Sequence, residues 1–263
     1  MKLCFSTLGC CDRDMESIIS LAKQYGMNAV ELRGVGGMLN NKEILDFSSE
    51  NIADTRNKLE SCGVSPLVIG TSCRFHNPDK YEQALDEGKA GIDIARGLGA
   101  RYVRVFGDKF NGNRSECTER IIAGLSYLCK CDTKIGVLLE VHGDFNTIEA
   151  LSPIIEKMSA YQNFGILWDV VHSHRSYGED WQKFYHFIRP YVRHVHIKDF
   201  SEEKNRLTLI GDGSVPIENI VSALMTDGYD GYFSLEWEKK WEPDLPDIEY
   251  ALDGFFALMN RIG

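Results

Sequence analysis

The sequence predicts an α/β protein in which eight parallel strands and the intervening helices form one (β/α)₈, or TIM, barrel. Short apolar segments alternate with longer amphipathic segments along the whole chain, and such alternation is typical of a parallel sheet. The short segments number eight, which is the number that closes a barrel, and the length of 263 residues is near the about 250 that a barrel needs. No linker, low-complexity segment or change of composition divides residues 1–263, so we expect a single domain.

In the first half of the chain, glycines mark the ends of the predicted helices. The first helix has Ile18, Ile19 and Ala22 on one face and ends at Gly26. The fourth strand alternates valines with arginines, which is the period of an extended chain. Strands are predicted over 2–7, 28–32, 64–69 and 101–106, and helices over 14–25, 49–62 and 79–98.

In the second half, each predicted strand carries an ionisable residue near its carboxyl end. Strand five is a continuous apolar run with Glu140 at its far end, and strand six stops on Asp169. An open doubly wound sheet is the main alternative, but no Gly-x-Gly-x-x-Gly follows the first strand to support it. Strands are predicted over 135–141, 165–169, 192–198 and 232–236, and helices over 115–131, 146–160, 180–188, 217–227 and 245–261.

The composition, with 43% hydrophobic and 26% charged residues, is that of an ordinary soluble globular protein. A net charge of −10 argues against unspecific nucleic-acid binding, which depends on a basic surface. No stretch approaches the roughly 18 apolar residues of a membrane span, and the N-terminal residues reach charged positions too early for a secretory segment. We therefore expect a cytoplasmic protein. The eight cysteines contain no Cys-x-x-Cys pair, so we expect reduced thiols without a functional role.

Four strand-end residues are candidates for a metal site, because the active sites of barrels lie at the carboxyl ends of the strands. They are Glu140, Asp169, His196 and Glu236, which are separated by about one βα unit each. Three carboxylates and one imidazole suit one divalent ion such as Mn²⁺, Co²⁺ or Mg²⁺ better than a structural zinc ion, with Zn²⁺ as a further candidate.

For other residues near these strand ends, the sequence allows a structural role as well as a functional one. Lys198 lies two residues after His196, where it either neutralises a substrate or protonates a leaving hydroxyl, or forms a salt bridge. His142 points the same way as Glu140 and either lines the pocket or supports a ligand. We expect Trp168 to pack in the core, and Arg101 and Arg104 of strand four to be structural.

The chain resembles the xylose isomerase-like barrel superfamily, and most closely its sugar (phosphate) isomerase/epimerase group. That group includes D-tagatose 3-epimerase and other ketose 3-epimerases, hydroxypyruvate isomerase and inosose dehydratase. The resemblance covers nearly the whole chain, and its motifs are poor guides to the substrate. It rests on Leu139-Glu140-Val141-His142, Trp168-Asp169-Val170-Val171-His172, Val195-His196-Ile197-Lys198-Asp199, Gly211-Asp212-Gly213-Ser214-Val215-Pro216 and the segment from Gly228-Tyr229-Asp230-Gly231 to Ser234-Leu235-Glu236.

The resemblance implies roles for particular residues. Glu140, Asp169, His196 and Glu236 correspond to the metal ligands, and Glu140 and Glu236 also to the two catalytic bases. His172 corresponds to a contact to a substrate oxygen, and Glu31 to a pocket-facing position at the end of strand two. The epimerases use an arginine shortly after the strand-seven histidine, for which Arg206 is the nearest candidate, ten residues beyond His196. Homo-dimers or homo-tetramers are implied as well.

These observations together predict a divalent-metal-dependent sugar isomerase or epimerase. The expected reaction removes a proton α to a carbonyl through a metal-stabilised enediolate of a sugar or polyol ketone. A dehydratase of the inosose dehydratase type on the same residues is the alternative. An abasic-site nuclease of the endonuclease IV type is less favoured, because strand four ends in Phe106-Gly107-Asp108 without the histidine that its zinc cluster needs. A non-catalytic sugar-binding protein is disfavoured because all four ligands are present.

Overall fold

The computed structural model describes residues 1–263 and contains an eight-stranded parallel sheet that closes into a barrel. Neighbouring strands run in the order β1, β10, β7, β6, β5, β4, β3 and β2, and a parallel bridge between Ser6 and Glu31 joins the first strand to the second. The predicted TIM barrel is therefore confirmed. The barrel strands are β1 Lys2–Phe5, β2 Ala29–Leu32, β3 Ser65–Arg74, β4 Tyr102–Phe106, β5 Gly136–Glu140, β6 Phe164–Asp169, β7 Val192–Ile197 and β10 Tyr232–Leu235.

Helices lie between the strands and pack on the outer face of the barrel. Their amphipathic faces are buried against the strands in one large apolar cluster that surrounds the barrel. No helix of the structure is both long enough and apolar enough to cross a membrane. The helices are α1 Met15–Gln24, α2 Ile52–Ser61, α3 Tyr81–Leu98, α4 Arg114–Cys131, α5 Ile148–Met158, α6 Val170–Tyr177, α7 Trp181–Ile188, α8 Ile217–Thr226 and α9 Ile248–Ile262.

A helix and a hairpin at the barrel mouth were not predicted. Helix α6 starts directly after β6, because the Asp169 carboxylate caps it by accepting hydrogen bonds from the amides of Val171 and His172. The second element is a short antiparallel hairpin of β8 (Asp199–Ser201) and β9 (Arg206–Thr208), which follows β7. Both lie at the carboxyl end of the barrel and shape its mouth.

Alternation along the strands separates the two faces of the sheet. Trp168 packs outward, where it is fully buried and stacks on Tyr185 with ring centroids 5.2 Å apart, so the predicted core position is confirmed. Its neighbours in β6, Leu167 and Asp169, point into the barrel. All eight cysteines are free thiols, and six of them are buried.

Candidate metal centre at the barrel mouth

Four ligand-type side chains converge at the carboxyl ends of neighbouring strands. Glu140 ends β5, Asp169 ends β6, His196 lies in β7, and Glu236 directly follows β10. These strands are adjacent in the barrel. The ligand atoms of the four residues all lie within 4.8 Å of one another, and every one of the four side chains is buried. We refer to these four residues as the quartet.

The unsatisfied polar atoms of the quartet fit a divalent cation. Glu140 Oε2, Asp169 Oδ2 and His196 Nδ1 are buried and make no well-aligned hydrogen bond; their charged neighbours are Arg104 Nε at 3.1 Å, Lys198 Nζ at 2.7 Å and Glu236 Oε2 at 3.3 Å. Buried polar groups are normally hydrogen-bonded, so three buried atoms that make only ionic contacts in one cluster have capacity for a further partner. Three carboxylates and an imidazole are a donor set for Mn²⁺, Co²⁺, Mg²⁺ or Zn²⁺.

Glu31 lies on the inner side of the quartet and orients its histidine. The Glu31 Oε2 atom is 2.8 Å from His196 Nε2, 3.0 Å from His194 Nε2 and 3.3 Å from the Ser234 hydroxyl. Burial works against ionisation, but the two imidazoles hold the pKa of Glu31 well below its usual range. With Nε2 engaged, the Nδ1 of His196 faces Glu236 at 3.3 Å. Glu31 is fully buried, so the structure places it behind a ligand rather than at the pocket surface.

Lys198 lies among the carboxylates of the quartet. Its ammonium group is 2.7 Å from Asp169 Oδ2 and 2.7 Å from Glu236 Oε2, and it also contacts Glu238. Burial opposes the charged form, but these carboxylates hold the pKa of Lys198 well above its usual range. Lys198 therefore forms salt bridges, as one of the two interpretations of the sequence expected, and two of its three partners belong to the quartet.

Arg104 belongs to the same cluster, although the sequence suggested only a structural role. Its Nε is 3.1 Å from Glu140 Oε2, its Nη1 donates to the carbonyl of Thr71 at 2.9 Å, and its guanidinium lies 4.1 Å from the ring centroid of Phe106. The alternation of valine and arginine in β4 was the available signal, because it places Arg104 on the barrel interior. Arg101, at the other end of the strand, is exposed.

The two glutamates of the quartet differ in protonation. Burial, together with the nearby Glu236, raises the pKa of Glu140 to about 8 against the opposing effect of Arg104. Burial also disfavours the Glu236 carboxylate, but His196 and Lys198 hold the pKa of Glu236 well below its usual range. The Glu140 carboxylate therefore takes up a proton more readily than the Glu236 carboxylate, and a bound cation would favour ionisation of both.

His142 and His172 form the solvent-facing side of the cluster. Their ring centroids are 4.3 Å apart, and their side chains are 30% and 16% exposed. Burial, as the largest cause, lowers the pKa of His142 to about 3 and that of His172 to about 4, so both imidazoles are neutral near pH 7. Arg206 does not reach the cluster: it is 41% exposed in the hairpin, and its ionic partner is Glu242 at 3.7 Å.

The arrangement is suited to proton transfer next to a polarised carbonyl. It combines two buried glutamates of different pKa, an ammonium group and two neutral imidazoles around one cation-binding cluster. Pairs of titratable groups whose environments separate their pKa values are a general feature of acid–base sites.

Comparison with known proteins shows what the whole chain is similar to. The family model of the xylose isomerase-like TIM barrel matches residues 19–257. No curated protein sequence matches the chain. Among solved structures, the IolI protein with a bound zinc atom is 19% identical, with a TM-score of 0.80 over 100% of this chain and 99% of that one.

Two further solved structures share the fold. A D-tagatose 3-epimerase-like protein is 18% identical, with a TM-score of 0.79 over 100% of this chain and 98% of that one. The probable 3-DHS dehydratase AsbF from Bacillus anthracis is 18% identical, with a TM-score of 0.78 over 97% of this chain and 99% of that one. Epimerase-like and dehydratase names therefore both occur among proteins of this shape.

Proposed function

Because the chain belongs to the xylose isomerase-like TIM-barrel family, we propose that it is a divalent-metal-dependent isomerase or epimerase of a sugar or polyol ketone. The observation that carries the proposal is the quartet, whose ligand atoms converge within 4.8 Å and include three buried atoms that make no well-aligned hydrogen bond. A divalent ion held by Glu140, Asp169, His196 and Glu236 supplies Lewis-acid polarisation of a substrate carbonyl.

Glu140 and Glu236 are the groups that we assign to proton transfer. They project from β5 and from the end of β10, two strands that are separated in the barrel by β6 and β7. A substrate between them meets a carboxylate from each side. If one glutamate removes the proton and the other returns one to the same carbon on the opposite face, the product is the epimer. If one glutamate removes the proton and returns it on the same face to the neighbouring former carbonyl carbon, while a proton moves between the two oxygens, the product is the aldose or ketose isomer.

Neighbouring groups would orient the substrate. Lys198 is held by Asp169 and Glu236, so its ammonium stabilises negative charge that develops on a substrate oxygen. His142 and His172 present neutral imidazoles on the only partly exposed side of the cluster, where a substrate would enter. Arg206 has no assigned part, because its contacts lie in the hairpin.

Dehydration is the second candidate, and the position of Lys198 favours it. An ammonium group 2.7 Å from the Glu236 carboxylate is placed to protonate a departing hydroxyl after Glu236 or Glu140 removes the α-proton. The same residues then release water and a double bond forms in the product. Isomerisation conserves the substrate's mass, whereas dehydration loses one water, so the product distinguishes them.

The test is exchange of substrate α-protons with solvent. Protein purified without chelator or affinity-column metal is loaded with Mn²⁺ and incubated in D₂O with a panel of ketoses and inososes, and exchange is followed by NMR. We expect exchange with at least one substrate, and a loss of roughly 10²–10⁴-fold in Glu140→Gln and in Glu236→Gln. Glu242→Gln, which changes a carboxylate outside the quartet, is the control. Exchange that persists in both quartet variants would contradict the proposal.

A further inference from the structure

A cavity of about 320 Å³ lies at the amino end of the barrel, at the far end from the quartet. Residues near the starts of β3, β4, β7 and β10 line it, together with residues at the carboxyl ends of α7 and α8. In the barrel, β3 lies opposite β7 and β4 lies opposite β10, so the cavity spans the opening at this end. Small-molecule sites measure about 300–1,000 Å³, and this cavity therefore suits a small metabolite.

Two β-bulges direct side chains toward this cavity. Arg193 is the extra residue where the register of β7 against β6 shifts, and Leu67 is the extra residue where the register of β3 against β2 shifts. Bulges at the rims of barrels often redirect a side chain. Both extra residues line the cavity, so two interruptions of the regular strand pairing shape its wall.

Arg193 is held at both ends of its side chain. A Cβ atom at Gly165 in β6 would lie 2.6 Å from Arg193 Cγ, so this glycine leaves the room that the arginine stem occupies. At the other end, Nη1 donates hydrogen bonds to the carbonyl of Pro190 at 2.9 Å and to that of Val192 at 3.1 Å. A guanidinium has five N–H donors, and those on Nε and Nη2 remain for a ligand. The group is therefore oriented before a ligand binds.

Arg101 and Tyr102, at the start of β4, form another part of the wall. The guanidinium carbon of Arg101 is 6.0 Å from the centroid of the Tyr102 ring. A Cβ atom at Gly136 in β5 would lie 2.5 Å from Tyr102 Cδ1, so a glycine again leaves the room that a cavity side chain occupies. The cavity thus offers a second guanidinium beside an aromatic surface.

The positive charge of the cavity exceeds its negative charge. Three arginines and two aspartates line it, namely Arg101, Arg189, Arg193, Asp227 and Asp230. Both aspartates are already paired, Asp227 with Arg189 at 2.9 Å and Asp230 with Lys2 at 2.6 Å. The other two arginines form no salt bridge. Because the whole chain has a net charge of −10, this local excess of unpaired positive charge indicates an anionic ligand.

We propose that this cavity binds a small phosphorylated metabolite. Planar guanidinium groups donate paired hydrogen bonds to phosphate oxygens, and Arg101 and Arg193 supply two such groups without competing carboxylates. Leu67 and the Tyr102 ring contact the carbon part of the ligand. The site lies at the opposite end of the barrel from the quartet, so it is separate from the proposed reaction and does not depend on it.

The experiment is calorimetric titration of the full-length protein with glycerol 3-phosphate, glycerol and inorganic phosphate. Glycerol 3-phosphate has no carbonyl group, so it is not a substrate of the proposed reaction. We expect one glycerol 3-phosphate per chain, weaker binding of inorganic phosphate and no binding of glycerol. Arg101→Gln and Arg193→Gln should each weaken glycerol 3-phosphate at least about tenfold, since each removes charged hydrogen bonds. Arg206→Gln, which changes a 41% exposed arginine near the quartet, is the control.

Arginine modification in the wild type tests the inference even where a variant fails to fold. Glycerol 3-phosphate should protect Arg101 and Arg193 from phenylglyoxal, as followed by peptide mass spectrometry, and should leave Arg206 reactive. No binding of glycerol 3-phosphate at millimolar concentrations overturns the proposal. Binding that both Gln variants retain and Arg206→Gln loses places the phosphate at the mouth and also overturns it. Equal affinities for inorganic phosphate and glycerol 3-phosphate overturn the assignment to a phosphorylated metabolite.

Discussion

Replacing Lys198 by methionine is the change that most directly tests the electrostatics of the mouth. Methionine keeps the length and apolar stem of lysine and removes only the ammonium group. That group is 2.7 Å from Asp169 and 2.7 Å from Glu236, inside the cluster where a divalent ion would be held. Lys198 is therefore a cation of the chain itself that compensates the quartet carboxylates.

The expected effect has two parts with opposite signs. Removing one partner from a buried ion pair costs about 3–5 kcal/mol because the remaining charges are uncompensated, which for a chain of this size lowers the melting temperature of the metal-free protein by roughly 6–20 °C. The same loss of positive charge favours a divalent ion in the cluster. We expect Mn²⁺ to bind at least about tenfold more tightly to Lys198→Met, which corresponds to about 1.4 kcal/mol.

Differential scanning calorimetry with and without Mn²⁺ measures the first effect, and calorimetric titration measures the second. Lys204→Met, in the exposed turn of the hairpin, is the matched control and should change neither quantity. Glu238→Gln removes a Lys198 partner that is not a quartet ligand and should cost less than the lysine change. An unchanged melting temperature together with weaker Mn²⁺ binding in Lys198→Met would refute the reasoning.

Three further predictions concern other parts of the site. Glu31→Gln should weaken Mn²⁺ binding by roughly 10–100-fold because His196 loses its charged partner. Ser234→Ala should change the Mn²⁺ affinity little, and calorimetric titration compares the two variants. Arg104→Met should destabilise the protein by about 3 kcal/mol in urea unfolding because Glu140 loses its cation, and Arg101→Met, at an exposed position directly before β4, should have little effect. Chelation should lower the melting temperature reversibly, since an ion at about 100 times its Kd contributes about 2.7 kcal/mol.

The sequence allowed the barrel and the convergence of the quartet to be predicted because both follow from regular periods. Eight alternations of strand and helix determine the topology, and consecutive parallel strands bring their carboxyl ends together. Helix α6 was missed because Asp169 was interpreted as a ligand alone, whereas its second oxygen also caps a helix. The β8–β9 hairpin was missed because three-residue strands are too short for a periodic pattern.

The contacts of Arg104 and Glu31 were not predicted either. Arg104 was expected to be structural and contacts Glu140, and Glu31 was expected to face the pocket and contacts His196. The alternation of side chains along a strand indicates which residues share a face of the sheet. It does not indicate which residues of neighbouring strands lie at the same depth in the barrel. That depth depends on the register between strands. The pairing of Ser234 with His196 places the side chains of β7 and β10 at matched levels, and the bridge between Ser6 and Glu31 sets the level of β2.

Because β7 and β10 pair in register, their side chains form layers at successive depths in the barrel. Two residues before the ligands His196 and Glu236, the side chains of His194 and Ser234 both hydrogen-bond to Glu31. Two residues after them, Lys198 contacts Glu238. His196 and Glu236 therefore lie between two layers of side chains. The deeper layer, His194 and Ser234, contacts Glu31, and the layer nearer the mouth, Lys198 and Glu238, is charged. Because the strand period fixes these layers, we expect differences in substrate preference to arise from residues above them, such as His142 after β5 and His172 in the first turn of α6.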